Sequence, residues 1–391
     1  MSAVNYLIGS EQTDNTPLQP FSEEICAFVG ELSSRLMRSP HIRAFPDISA
    51  LAFWCRKSNV QKNKDRCGDM SDRLGRGICF HIAPSNIPIN FAFSWMFSLL
   101  AGNANIVRLP SKNFPQITPL LTVIEETLLK YEEIAKRTAI IRYPADDKIL
   151  TAELCARADV RMIWGGDETI AEIKHFTTKP RCLDLAFADR YSICIISGKA
   201  LLHIDEEGMK RLSENFYNDT YLMDQNACSS PQLMLWLDDI PEARERFWQS
   251  VYVHAEKKYR LQPTVAVDKY IQMCKDAISL DIVRSVSRKG NLLYRAELDA
   301  LLPDMTEIRG YGGYFYEHAI PDLEKIKNNI TDKYQTITYF GVKPLDIRRF
   351  VMANNLRGID RIVPIGRALD MDIVWDGYNI VQTISRIIQA D

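Results

Sequence analysis

The chain has 391 residues, of which 46% are hydrophobic and 25% are charged, the composition of a folded protein with enough apolar side chains for two or three domains. Its formal net charge of −2 excludes the basic excess typical of proteins that bind nucleic acid or anionic membranes. No apolar run is long enough to span a bilayer, and the start of the chain lacks the basic and apolar blocks of a secretory signal.

The nine cysteines stand singly along the sequence. Their odd number and the lack of any C-x-x-C spacing argue against a disulfide framework and against a zinc site. We therefore expect reduced thiols in a cytoplasmic protein, and no metal.

The first predicted helix spans residues 22–38, with Ser22 as its cap. The polar residues 59–73 predict a surface connection. Residues 78–82 form a short apolar run that predicts a buried strand, and an apolar helix from 88 to about 100 leads into a second strand, "NIVRL". Strand, helix and strand in this order make parallel strands with a right-handed crossover.

Further strands and helices alternate up to about residue 197. One helix runs from 118 to about 137, and the strands that follow are "AIIRY", "VRMIW", "CLDLAF" and "YSICII". Alternation of this kind predicts an α/β fold with a doubly wound sheet. The second half begins near residue 192 and carries the strand "PQLMLWL", helices over 241–259 and 267–280, and a tail of short strands and turns.

The stretch "NDTYLMDQNACSSP", residues 218–231, places Cys228 among small polar residues just before Pro231. A helix beginning at Ser229 would present N–H groups that lower the pKa of this thiol and hold an oxyanion. A lone cysteine is more often structural than catalytic, so position in the chain alone leaves both interpretations open.

The turn "APSNIP" places Asn86 between the carboxyl end of a buried strand and the next helix. Ligands of open parallel sheets gather at that edge, where a side-chain amide can donate to a developing oxyanion. Capping of the helix that starts near Pro88 explains the same asparagine equally well. His81, inside the strand, is interpreted as a core histidine whose ring nitrogens are hydrogen-bonded.

Two further groups follow strands at the same edge of the sheet. Arg108, Ser111 and Lys112 lie in "RLPSK", and two cations with a hydroxyl suit a phosphate monoester such as the 2′-phosphate of NADP, although a basic surface turn has the same composition. Gly165 and Gly166 lie in "WGGDE", where glycine lets the backbone approach a phosphate. The G-x-G-x-x-G fingerprint is absent, so this second signal is weak alone.

Several long segments together resemble one family. "HIAPSNIPINFAFSWMFSLLAGNANIVRLPSK", "NDTYLMDQNACSSPQ", "YQTITYFG" and "RGIDRIVPIGRALDMDIVWDGY" are similar to the acyl-CoA reductase family typified by the fatty-acid reductase component of bacterial bioluminescence (LuxC), within the aldehyde dehydrogenase superfamily. The resemblance covers roughly residues 75–385.

The resemblance implies an aldehyde-dehydrogenase-like fold of two doubly wound α/β domains with a small oligomerisation element. Residues 1–191 would hold N-terminal helices and the NADP-binding domain, and 192–345 the catalytic domain. Residues 346–391 would pack on the catalytic site and form the oligomer interface, so a homo-oligomer is expected.

The resemblance also assigns roles to residues. Cys228 becomes the acyl-accepting nucleophile and Asn86 part of the oxyanion hole. Arg108 stands where a lysine usually meets the cofactor ribose, and Gly165 and Gly166 stand beside the pyrophosphate. Together with Ser111 and Lys112, these residues imply NADPH as the cofactor.

One segment departs from the superfamily pattern. Where hydrolytic aldehyde dehydrogenases carry a Glu-Leu-Gly-Gly segment, this chain has "LAFADRYS", with no glutamate and with Ala188 in place of the family's usual glycine. That glutamate activates water to hydrolyse an acyl-enzyme, and a reductase must avoid this hydrolysis.

The expected activity is NADPH-dependent reduction of an acyl thioester, either fatty acyl-CoA or acyl-protein, to the aldehyde through an acyl-cysteine. Three alternatives stay open: an aldehyde dehydrogenase running oxidatively, a cysteine acyltransferase or hydrolase without nicotinamide, and a nucleotide-binding subunit of a complex with an acyl-protein synthetase. The acyl chain and its donor are not predicted.

Overall fold

The computed structural model describes residues 4–40, 45–84, 87–110 and 112–390. The chain divides into two compact units, one of Met1–Asp189 with Met371–Asp391 and the other of Arg190–Asp370. Of the predicted C-terminal segment, residues 346–370 therefore lie in the second unit and the remainder lies in the first. No helix in the described ranges is both long and apolar enough to cross a membrane.

The strands are β1 Asn5–Ile8, β2 Arg73–Gly75, β3 Ile78–Ile82, β4 Ala104–Arg108, β5 Thr138–Arg142, β6 Val160–Trp164, β7 Leu183–Phe187, β8 Tyr191–Ser197, β9 Pro231–Leu237, β10 Val283–Lys289, β11 Leu293–Leu298, β12 Tyr314–Ile320, β13 Tyr334–Phe340, β14 Arg361–Pro364, β15 Val374–Trp375, β16 Tyr378–Asn379 and β17 Ser385–Ile387. The helices are α1 Glu23–Arg38, α2 Pro46–Trp54, α3 Lys57–Cys67, α4 Asn90–Leu100, α5 Ile117–Leu128, α6 Glu132–Lys136, α7 Lys148–Arg157, α8 Asp167–His175, α9 Gly198–His203, α10 Glu206–Thr220, α11 Pro241–Lys258, α12 Pro263–Ser279, α13 Pro344–Ala353 and α14 Ile380–Thr383.

The first unit is built on a six-stranded sheet of order β1-β5-β4-β3-β6-β7. All neighbours from β5 to β7 are parallel, and β1 adds an antiparallel edge. The chain proceeds outward from β3 to β5 and then returns to the other side of β3 with β6, which makes the sheet doubly wound, as the sequence predicts. The helix between β3 and β4, α4, is buried along its whole length, which its apolar sequence requires.

The second unit contains a seven-stranded sheet of order β10-β11-β12-β9-β8-β13-β14. Every pair is parallel except β10 with β11 at one edge. One apolar cluster contains Phe216 of α10 with Phe247 and Trp248 of α11, together with side chains of β8, β9 and β12. The strand β9, which follows the predicted nucleophile, lies at the centre of this sheet.

Two local expectations about the first unit are wrong. The predicted surface connection 59–73 contains a helix, α3, because Val60, Asn63 and Cys67 lie at helical spacing and form a buried stripe under the charged residues. The single helix expected over 118–137 is two helices, α5 and α6, separated at 129–131.

Candidate active site

The predicted nucleophile lies in residues 221–230, named here the thiol turn, which connects α10 to β9. Cys228 is half-buried. The thiol turn precedes β9, and it therefore lies at the amino ends of the parallel strands of the second unit. Each of the nine cysteines is described by the structure, and no disulfide joins any two of them.

The thiol turn reverses the chain through two left-handed residues. After a short 3-10 turn at Tyr221–Met223, Asp224 has φ 50° and Gln225 has φ 60°, a region that non-glycine residues rarely adopt. The Tyr259 hydroxyl donates to the Asp224 carboxylate over 2.5 Å, and the Gly312 N–H donates to the Asp224 carbonyl over 3.1 Å. These contacts help to hold a conformation that is costly by itself.

No helix begins at Ser229. Ser229 and Ser230 continue the turn, and Pro231 begins β9 by pairing with Ser192 of β8. Proline disfavours the helical region for the residue before it, and a first-residue proline is compatible with a strand. A helix N-terminus is therefore not the group that would activate this thiol.

Polar groups surround the backbone of the thiol turn. The Ser192 hydroxyl donates to the Cys228 carbonyl over 2.6 Å, and the Ser230 hydroxyl donates to the Asp219 carbonyl over 2.7 Å. Both serines are buried. Sequence analysis missed Ser192, and no local signal identifies it, because its partner is 36 residues away along the chain.

A buried carboxylate lies at the end of α10, just before the thiol turn. Asp219 is 1% exposed, and its side chain accepts the N–H groups of Gly366 and Ala368 over 2.6 and 2.9 Å. Burial raises the pKa of this carboxyl to about 7, although the two backbone N–H groups oppose that shift. Asp219 thereby joins the thiol turn to the loop after β14.

The predicted cofactor residues of the first unit lie at the carboxyl ends of its strands. Arg108 of β4 and Ile163 of β6 both align with Ile82 of β3, the strand between them. Arg108 and the turn after β6 are therefore separated by about 10 Å, two strand spacings. The order of strands reverses between β3 and β6, which is where ligands of doubly wound sheets bind.

Two cations of this edge lie against aromatic rings. The Arg108 guanidinium carbon is 4.5 Å from the centre of the Tyr143 ring, and the Lys112 ammonium is 5.0 Å from that of Phe114. The Nε of Arg108 is buried and finds no hydrogen-bond partner in the described part of the chain. The other two predicted residues of this edge, Asn86 and Ser111, lie outside the described residues.

The two glycines lie where the sequence predicts, between β6 and α8. Gly166 is the cap of α8, and a Cβ built on it would meet nothing within 4 Å. Packing therefore does not require glycine at this position, and the open space is compatible with a ligand. Asp167 and Glu168 occupy the first turn of α8, and their carboxylates oppose a phosphate at this helix end.

His81 is a core residue, as the sequence analysis expects. It is fully buried, with Nδ1 2.7 Å from the Ser94 hydroxyl and Nε2 3.0 Å from the Asn105 side-chain oxygen. Burial lowers the pKa of the imidazole to about 4. A neutral, fully bonded histidine of this kind is a poor proton shuttle.

The alanine that stands in place of the family's glycine causes no strain. Ala188 follows β7 and is not among the described residues with positive φ. The preceding Phe187 stacks on Trp164, with 3.8 Å between ring centres, which holds this end of the strand. The backbone here accommodates a side chain that a glycine-specific conformation would exclude.

Comparison with known proteins places these features in a family context. Residues 57–282 match the family described as acyl-CoA reductase (LuxC). This range includes Cys228, Arg108 and both glycines. Among curated proteins, the chain is similar to a long-chain acyl-protein thioester reductase of Aliivibrio fischeri, with 24% identity over 165 residues. That match covers 42% of this chain and only 33% of the relative.

Solved structures share the fold at low sequence identity. An NADP-dependent glyceraldehyde-3-phosphate dehydrogenase from Bacillus halodurans, complexed with NADP, matches with a TM-score of 0.58 and 14% identity over 93% of this chain and 84% of that chain. A 1-pyrroline-5-carboxylate dehydrogenase variant from Thermus thermophilus matches with a TM-score of 0.61 and 12% identity, covering 94% and 81%. A bifunctional proline utilization A protein matches with a TM-score of 0.64 and 14% identity over 93% of this chain, but the match spans only 41% of that protein. The fold is that of aldehyde dehydrogenases, as the sequence predicts.

Proposed function

Because the chain belongs to the acyl-CoA reductase (LuxC) family, we propose that it reduces an acyl thioester to the aldehyde through an acyl-enzyme on Cys228. The observation that carries this proposal is the half-buried thiol in a turn held by polar groups, within the range that matches the family. A covalent intermediate on Cys228 separates release of the acyl donor from hydride delivery and keeps the acyl group bound between the two steps.

In the proposed reaction the Cys228 sulfur, as thiolate, attacks the thioester carbonyl carbon. The bond from that carbon to the donor sulfur breaks, and the donor leaves as a thiol after taking up a proton. A nicotinamide, when bound, supplies the hydride. The carbon–sulfur bond to Cys228 then breaks, which releases the aldehyde and restores the thiol.

The segment before β8 supports reduction over hydrolysis. The range 185–192 reads "LAFADRYS" and offers no glutamate to activate water against the acyl-enzyme. The short carboxylate of Asp189 is the only acid there. Appearance of the free fatty acid as the main product would favour the hydrolytic or oxidative alternatives instead.

For the cofactor we propose NADPH, held at the carboxyl edge of the first unit. The buried Nε of Arg108 lacks a partner among the described residues, and Lys112 adds a second cation in the same segment. A guanidinium suits the 2′-phosphate that distinguishes NADPH from NADH. Ser111 and Asn86 keep their predicted roles, as a phosphate ligand and an oxyanion donor.

The test of this preference is Arg108→Ala. We expect the ratio of kcat/KM for NADPH to that for NADH to fall by about tenfold or more, since the variant loses a charge-assisted contact to phosphate. Lys179→Ala, which removes a cation paired with Asp159 on another loop of the same unit, is the control. An unchanged ratio in Arg108→Ala would remove the assignment.

The acyl donor is proposed to be fatty acyl-CoA or an acylated protein. The curated relative is named for acyl-protein thioesters, and this chain matches a third of its length. A homo-oligomer and an acyl-protein synthetase partner also remain proposals. Comparison of acyl-CoAs with an acylated synthetase as donors separates the two substrate classes.

The central experiment is intact-mass analysis after incubation with acyl-CoAs of varied length, with the nicotinamide withheld. We expect one acyl adduct per chain, mapped to Cys228, and the chain length that reacts fastest identifies the substrate. Cys228→Ala should abolish the adduct and lower turnover by about 10³-fold or more. The matched control is Cys274→Ala, at another half-buried cysteine, on α12. This variant should keep both the acyl adduct and the turnover of the parent protein. Reduction that survives in Cys228→Ala would contradict the mechanism.

A further inference from the structure

The backbone of the thiol turn is held from both sides of β9. The turn leads into β9, and the neighbours of β9 in the sheet are β12 on one side and β8 on the other. The turn itself is too irregular to pair with either strand. Its contacts with these neighbours are made instead by two buried side chains, Ser192 and Gln225.

Ser192 connects the nucleophile to β8 and β13. Its hydroxyl donates to the Cys228 carbonyl over 2.6 Å and accepts the Thr336 N–H over 3.2 Å. The residue is 0% exposed, so water does not compete for either bond. The donor and acceptor capacities of the hydroxyl are both used, which defines its orientation.

The contact to the Cys228 carbonyl restricts more than one atom. The peptide group that links Cys228 to Ser229 is planar, so a hydrogen bond to its oxygen restricts the movement of the whole plane. The direction of the bond from Cα to Cβ of Cys228 is set by that plane together with the preceding one. The Ser192 hydroxyl therefore limits the positions of the Cβ atom that carries the sulfur.

Gln225 makes the corresponding connection to β12. Its side-chain oxygen accepts the N–H groups of Gly313 and Tyr314 over 2.7 and 3.1 Å, and its side-chain nitrogen donates to the Tyr314 carbonyl over 3.1 Å. Its own carbonyl accepts from the Gln232 side chain over 2.8 Å. The amide thus binds the start of β12 as a neighbouring peptide group would, which needs a donor and an acceptor on one long side chain.

We infer that Ser192 and Gln225 are positioning residues for the acyl-transfer reaction, which hold the Cys228 sulfur in the direction from which it attacks the thioester carbonyl. The inference rests on the proposed function, because direction of attack matters only if Cys228 is acylated. Attack on a carbonyl requires a defined approach, and a displacement of about 1 Å can cost about 10²-fold in rate.

The test compares two reactions of the same thiol in Ser192→Ala. Acylation by acyl-CoA needs the correct direction of attack, whereas alkylation by iodoacetamide, a small reagent, needs mainly an accessible thiolate. With the nicotinamide withheld, we expect the acylation rate to fall by about 10- to 100-fold at every pH. Alkylation should stay within about threefold of the parent protein, since the alanine leaves ionisation and access intact.

Ser33→Ala is the matched control. Ser33 is a buried serine of the first unit whose hydroxyl also donates to a backbone carbonyl over 2.6 Å, that of Ala52. It should leave acylation and alkylation unchanged. Gln225→Met, which removes the amide but keeps the length, provides the second variant and should repeat the selective loss of acylation if Ser192→Ala folds poorly.

The outcomes separate the inference from the proposed function. If the parent protein is not acylated, the proposed function fails. If the parent is acylated and both variants are acylated at its rate, the positioning role is overturned. A fall of acylation and alkylation by the same factor also overturns it, because it indicates a general disturbance of the site.

Discussion

The two α/β units share an architecture but bury different polar chemistry. In the described residues of the first unit, the buried side chains of the acidic and basic residue types Asp, Glu, Lys and Arg are Arg137 and Arg161. In the second unit they are three carboxylates and a lysine: Asp219, Lys269, Asp276 and Glu317. Arginine is always protonated and weakly hydrated, whereas carboxylates and lysine change their charge when burial is severe. The second unit is therefore the one whose interior responds to pH through its charged side chains.

In the first unit, Arg161 and His81 are buried polar residues with well-matched partners. The Arg161 guanidinium forms two bonds of 2.6 Å to Asp184 and one of 2.7 Å to the Ile173 carbonyl. The Asn105 amide donates to the Asn103 carbonyl, which turns its oxygen toward the ring of His81. This arrangement assigns the proton of the neutral imidazole to Nε2.

In the second unit, two of the four buried charged residues, Asp219 and Lys269, are connected to the thiol turn. Asp219 precedes the turn, and Lys269 donates over 2.6 Å to the carbonyl of Gly312, whose N–H donates to Asp224 within the turn. Burial lowers the pKa of Lys269 to about 7. The side chains of Asp219 and Lys269 are buried at a cost in stability, and both bind irregular backbone near the thiol turn.

For the comparison of buried charges in the two units, the largest effect on the free energy of unfolding is expected at Glu317 of the second unit. Its carboxylate accepts the indole N–H groups of Trp236 and Trp248 over 3.0 and 2.9 Å. Glu317→Ala would leave both donors buried without a partner and should lower the free energy of unfolding by about 3–5 kcal/mol, measured by urea denaturation. Glu317→Gln keeps an acceptor and should cost less than half as much. Equal costs for both variants would show that the indole bonds contribute little.

The next effect is the pH dependence caused by Asp219. Burial raises the pKa of its carboxyl from 3.8 to about 7, so the folded protein binds this proton more tightly than the unfolded chain does. The stabilisation is complete below pH 3.8 and is lost as pH rises through 7. Between about pH 5 and pH 8, the free energy of unfolding of the parent should fall by roughly 2–3 kcal/mol, measured by urea denaturation at each pH. Asp219→Asn should not show this fall. Parallel stability curves for the two proteins would contradict this assignment.

The smallest effect has the opposite sign and belongs to the first unit. Burial lowers the pKa of His81 from 6.5 to about 4, so the unfolded chain takes up a proton before the folded protein does. Stability from this group is present above pH 6.5 and is lost as pH falls through 4. From about pH 7 to pH 5, the free energy of unfolding should fall by roughly 2 kcal/mol because of this group, measured by urea denaturation. In His81→Gln this part of the pH dependence should be absent. If His81→Gln keeps the acid sensitivity of the parent, another group causes it.

Strongly apolar segments were predictable from the sequence. The bounds of β3 and β9 agree with the predicted runs, since a continuous apolar run of this length fits a buried strand. The polar segment that contains α3 was misread, because polar and charged residues make up most of the helix and only a narrow stripe is buried. No helix begins at Ser229, for a local reason that the sequence does contain: Pro231 disfavours the helical conformation of the residue before it.

The candidate site was predictable only in part. Cys228 and the glycine pair lie on turns next to the predicted strands, and Arg108 is the last residue of β4. Their catalytic and cofactor roles remain predictions. Ser192 and Gln225 were not recognised, because their backbone partners are distant along the chain. The partner of Ser192 is 36 residues away, and those of Gln225, Gly313 and Tyr314, are 88 and 89 residues away. A side chain that binds distant backbone looks in the sequence like any other polar residue.

The sequence alone determined the α/β class, the order of the strands along the chain and the polar setting of Cys228, since periodicity and residue type act locally. Tertiary structure alone decided which strands become neighbours, which carboxylates are buried and which side chains hold the thiol turn. The reason is that desolvation and hydrogen bonding depend on the groups that folding brings together, and these groups are far apart in the chain.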